Sequence, residues 1–97
     1  MSETTDIYQQ LLDVSREAFA NKQGVVAYHA LSGALEYAFC LKDAEKVEKV
    51  RQLANTHILR LLHLGESEPM SVRAVEIDLY NALLSLCSSY QNTLSIQ

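Results

Sequence analysis

Apolar residues recur every three or four positions along most of this chain, and no run alternates with the period of two that marks a half-buried strand. The pattern predicts four helices, over about residues 6–21, 26–40, 44–64 and 69–93. In the first, Ile7, Tyr8, Leu11, Leu12, Val14, Ala18 and Phe19 share one stripe, with Gln9, Asp13, Arg16 and Glu17 opposite. Thr4 or Thr5 suits the cap at its start, and Gly24 suits a left-handed residue after its end. In the second, Ala27, Ala30, Ala34 and Ala38 make a ridge of small residues that lets a neighbouring helix approach closely, with Leu31 and Leu35 beside it.

Asp43 is placed to cap the third helix, where Val47, Val50, Ala54, His57, Leu61 and Leu64 form a seam widened by Leu53, Ile58 and Leu62. Gly65 ends it. Pro69 suits the first turn of the fourth helix, with Ser67 or Glu68 as cap. Its main seam is predicted as Val72, Val75, Leu79, Ala82 with Leu83, Leu86 and Tyr90, with Met70, Ala74, Ile77 and Leu84 as a second stripe. The expected fold is all-α: one domain over residues 1–97, built as a four-helix antiparallel bundle or as two stacked helical hairpins.

Helix length adds an expectation about association. At 1.5 Å per residue the fourth helix is about 36 Å long and the first two about 23 Å each, so the long pair overhangs the short one. Overhanging apolar residues, Leu86, Tyr90 and Leu94 at one end or Met70 and Val72 at the other, imply a partner. The expected partner is a second copy, bound through the third and fourth helices, with Ile58, Leu62, Leu79, Leu83, Leu86 and Tyr90 at the interface.

Composition narrows the classes. The chain has 97 residues, 48% of them hydrophobic, and a formal net charge of −4 from 8 Lys+Arg and 12 Asp+Glu. An acidic balance without a basic run disfavours nucleic acid and anionic membrane as partners. The apolar runs are far shorter than the ~20 residues that span a bilayer. Two cysteines and an acidic, polar start without a leader pattern point to reduced thiols and a cytoplasmic setting. Three isolated glycines make no phosphate-cradling loop, and no metalloprotease, serine-hydrolase, nucleotide-binding or dithiol motif occurs. No catalytic residue, metal set or cofactor is assigned.

Candidate chemistry therefore comes down to a few side chains. His29, Gly33, Glu36 and Cys40 fall on one face of the second helix with Tyr37 adjacent, a possible small-ligand face if another helix supplies convergent groups. Gly33 stands inside a helix, where glycine costs up to ~1 kcal/mol relative to alanine and so calls for a packing or functional reason. Cys40 and Cys87 lack an adjacent activating relay, and the five tyrosines read as amphipathic edge residues.

Two resemblances bear on function. Thr56-His57-Ile58-Leu59-Arg60 is similar to the phospho-accepting segment of histidine-phosphotransfer domains, which implies a signalling bundle with His57 as acceptor. Leu61 stands where that family has a glycine, and His57 lies on the apolar seam, whereas an acceptor must face solvent. Residues 11–38 resemble a tetratricopeptide-like helical hairpin, with Leu11, small Ser15, Phe19, a turn at Gly24 and then Ala27, Leu31, Ala34 and Leu35; no second copy follows in residues 43–97. That resemblance implies paired helices and protein–protein recognition. The expectation is a small, non-enzymatic, self-associating interaction module, with phosphotransfer through His57 or ligand binding around His29, Glu36 and Cys40 as alternatives.

Overall fold

The computed structural model describes residues 6–63 and 70–96, with side chains in the last helix described from Ala74 onward. The described residues form four helices and no strand: α1 (Ile7–Ala20), α2 (Gly24–Cys40), α3 (Ala44–His63) and α4 (Met70–Ile96). The all-α reading holds. Thr4, Thr5, Leu64, Gly65, Ser67, Glu68 and Pro69, and the side chains of Met70 and Val72, lie outside the described residues.

Local chemistry sets the helix ends. Asp6 caps α1, its Oδ1 accepting from the Gln9 amide at 3.0 Å. Asp43 caps α3 as expected, accepting from the Lys46 amide at 3.1 Å. The turn after α1 corrects the reading of Gly24: the left-handed residue is Lys22, at φ 64°. The amides of Lys22 and Gln23 donate back to the carbonyls of Phe19 (3.0 Å) and Ala18 (2.8 Å). The turn after α2 repeats this closure. Lys42 is at φ 56°, and the amides of Lys42 and Asp43 reach Phe39 (2.9 Å) and Ala38 (3.1 Å). Both turns follow the same pattern, Ala-Phe-x-x-Lys, at 18–22 and at 38–42.

Gly24 is instead the first residue of α2, two positions earlier than predicted, and its small size has a different cause. A Cβ there would run into the Glu76 carboxyl of α4, with Cδ at 2.5 Å and Oε2 at 2.8 Å. The N-cap residue of α2, Gln23, makes no side-chain cap bond, so this carboxylate stands at the positive end of the α2 dipole.

α1 pairs with α2, α3 pairs with α4, and α2 bridges the two hairpins; α4 packs mainly on α3 and α2 and reaches α1 where Phe19 meets Tyr80 edge-on at 6.3 Å. Contacts 38 residues apart tie α1 to α3: the Tyr8 hydroxyl donates to the Lys46 carbonyl at 2.8 Å, and Phe19 stacks on His57 at 4.0 Å between ring centroids. α2 meets α4 in parallel, Gly24 and Tyr28 lying by Tyr80, and Glu36 and Phe39 by Tyr90. The result is a slab of 42 × 36 × 15 Å, the shape of two stacked hairpins.

The alanine ridge works as expected, with Ala27, Ala34 and Ala38 fully buried. α1 comes close enough for the buried Ser15 hydroxyl to donate to the Ala27 carbonyl at 2.8 Å. The predicted seam of α3 is buried from Val47 through Leu61. The predicted seam of α4 is buried only at Leu83 and in part at Tyr90: the core residues are Tyr80, Leu83 and Cys87, backed by Tyr90, Leu94 and, from the predicted second stripe, Ile77 and Leu84. Tyr8 and Tyr80, expected at edges, are buried.

Candidate functional site

Four helices meet at one buried polar centre. His57 Nδ1 lies 3.1 Å from the Tyr80 hydroxyl, which lies 3.3 Å from the Gly24 carbonyl. A hydroxyl has one proton and a carbonyl can only accept. The assignment that satisfies all three groups has His57 donating from Nδ1 to Tyr80, and Tyr80 donating to Gly24. The Phe19 ring covers His57 face to face, and Tyr28 meets Tyr80 edge-on at 6.0 Å. Burial lowers the His57 pKa to about 4, aided by the positive charges of Arg16 and Arg60, and raises that of Tyr80. His57 is therefore neutral near pH 7 and 3% exposed.

This geometry removes the basis for a phospho-accepting role. The acceptor nitrogen must meet a donor protein at the surface, and the ring is instead spent on a bond between α3 and α4 and on the Phe19 stack. The centre ties the four helices together through His57, Tyr80, Gly24 and Phe19.

The second-helix face is spread out rather than convergent. Gly33 lies beside Leu11 of α1, while Glu36 accepts a hydrogen bond from Tyr90 of α4 at 2.7 Å, on the opposite edge. His29 meets the ring of its own neighbour Tyr28, and Tyr37 and Cys40 are exposed. Among the described residues no group of three or more His, Cys, Asp or Glu could hold a metal ion. A Cβ on Gly33 would sit 3.5 and 3.7 Å from Leu11, ordinary contact, so no close approach demands glycine there. Cys87 is buried, and desolvation lifts its thiol to about 11, which keeps it protonated.

The six residues expected at an interface divide. Ile58 and Leu83 are in the core of the single chain and are corrected to core residues: the α3 seam and the inner face of α4 consume them. Tyr90 is partly buried, stacked on Phe39 at 3.9 Å. Leu62, Leu79 and Leu86 reach the surface, with Leu62 and Leu86 among the large exposed apolar residues.

Most of what sequence reasoning took for the main seam of α4, all but Leu83 and Tyr90 among the described side chains, is an exposed stripe. Val75, Leu79, Ala82 and Leu86 are spaced 4, 3 and 4 apart on one side of the helix. Val75 is 55% exposed and Leu86 37%. Tyr90 continues the stripe, and its contacts with Glu36 and Phe39 fix the stripe on the flank bordering α2. Gln91, on the other flank, donates to Glu48 of α3 at 2.7 Å. The stripe thus looks away from α3, and Leu62 does not extend it. The missed signal lay in spacing: Tyr80, Leu83, Cys87, Tyr90 and Leu94 make a second 3–4 series, and three of its members, two tyrosines and a cysteine, are not aliphatic.

No helix among the described residues is long and apolar enough to cross a membrane. Comparison with protein-family models, with curated proteins and with solved structures gave no match.

Proposed function

We propose that this chain is a non-enzymatic docking module, and that its docking surface is the α4 stripe together with the bordering edge of α2. One observation carries the reading. The core closes without Val75, Leu79 and Leu86, yet these residues keep a continuous helical spacing at the surface. Full burial of a Val or Leu side chain contributes about 1.5–3 kcal/mol, so covering three of them can hold a partner helix. The homodimer expected from sequence used the third and fourth helices; on this surface a second copy would pair through α4 and α2 instead. The free thiols Cys40 and Cys87 support a reducing, cytoplasmic setting.

The test is a photo-crosslinking side chain at Val75, compared with one at Gln10 on α1, in native lysate. A discrete adduct formed from position 75 alone supports the reading. Equal adducts from both positions, or none, would contradict it.

A further inference from the structure

Cations are absent from α2 and from α4 beyond Arg73; the acidic residues of those stretches are Glu36, Glu76 and Asp78. Every Lys and Arg whose side chain is described belongs to α1, α3 or the two short turns. At 100° per residue Asp78 borders the apolar stripe on one side. On the α2 side the bordering carboxylate is Glu36, bonded to Tyr90, while Glu76 is turned inward onto Gly24.

We infer that the occupant of this face is a basic amphipathic helix of another protein, with apolar residues at the spacing of the stripe and Lys or Arg along both borders. The inference rests on the docking reading and names its partner. Val75 to Leu86 spans about 16 Å, three turns of helix, which sets the length of the matching segment. An apolar strip between acidic borders complements an apolar strip between basic ones, and the charges select the partner and its orientation. A second copy fits less well. Pairing this face with itself brings Glu36 and Asp78 of one chain against the same carboxylates of the other.

The test uses a fluorescein-labelled helical peptide of about 18 residues, long enough to hold some helix alone, with Leu on the stripe and Lys on both borders. The control peptide has Glu in place of each Lys. By fluorescence anisotropy at low salt the Lys peptide is expected to bind at least about tenfold tighter than the Glu peptide, with the gap narrowing as salt screens the charges. Leu86→Asp is expected to weaken the Lys peptide about tenfold although it adds negative charge, and Val75→Asp to do the same. Circular dichroism checks that both variants keep their helices.

Equal binding of both peptides, lost in Leu86→Asp, would overturn the cationic partner and leave the docking face standing. Lys-peptide binding that Leu86→Asp leaves unchanged or strengthens would show unspecific attraction and overturn the inference. No binding of either peptide, with a chain dimer that Leu86→Asp disrupts, would make the second copy the occupant. No binding and no dimer would sink both readings.

Discussion

The imidazole of His57 and the hydroxyl of Tyr80 meet 3.1 Å apart where all four helices converge, and the bond is closed on one side by the Gly24 carbonyl and covered on the other by Phe19. Removing the hydroxyl in Tyr80→Phe leaves a buried imidazole N–H without its acceptor. The expected loss is about 1–3 kcal/mol, read as a lower urea midpoint at unchanged slope.

Burial of the same imidazole sets the acid response, aided by the charges of Arg16 and Arg60. The His57 pKa drops from 6.5 to about 4 on folding, so as pH falls the unfolded chain takes up this proton first. Stability is full above about pH 6.5 and declines as the pH falls toward 4, by at most about 3 kcal/mol. Glu48, held near 2 by its bonds from Arg51 and Gln91, is lost only below about pH 4.5. His57→Phe keeps a ring against Phe19 and is expected to flatten the stability profile between pH 4.5 and 6.5. A profile identical to the parent's would contradict the assignment.

Gly33→Ala is expected to raise stability by about 0.5–1 kcal/mol, seen as a higher Tm. A Cβ there meets Leu11 at ordinary distance, and alanine restricts the unfolded chain. Destabilisation would mean that position 33 needs glycine for another reason.

Gly24→Ala tests the other glycine. The new methyl displaces the Glu76 carboxylate from the α2 N-terminus, which offsets the gain from helix propensity. In a Glu76→Ala background that carboxylate is gone. A double-mutant cycle by urea unfolding should show Gly24→Ala more favourable there by about 0.5–1 kcal/mol. Strict additivity would contradict the contact.

Much of this was legible in the chain. Four helices, the Asp43 cap, the alanine ridge and the α3 seam follow from spacing and small-residue placement alone. The two turns misled because lysine, rather than the nearby glycine, takes the left-handed position. α4 misled because it carries two apolar series. The aliphatic one, Val75 to Leu86, has the stronger periodic signal, but the one holding Tyr80 and Cys87 is buried. Which series a helix buries depends on what its neighbours present. Here these are His57 on α3 and Gly24 and Tyr28 on α2, and nothing in α4 itself records them. Gly33, His29 and Glu36 shared a helical face on paper, but the helices beside them draw Gly33 toward α1 and Glu36 toward α4.

The central claim, that the flank of α4 bordering α2 is the working surface, is tested most directly by amide NMR of the labelled chain titrated with the Lys-bordered helical peptide. Shift changes are expected to cluster at Val75, Leu79, Leu86, Tyr90 and Glu36, and to leave the Tyr8–Lys46 contact between α1 and α3 unmoved. Changes centred on α1 and α3 would contradict it, as would none at saturating peptide.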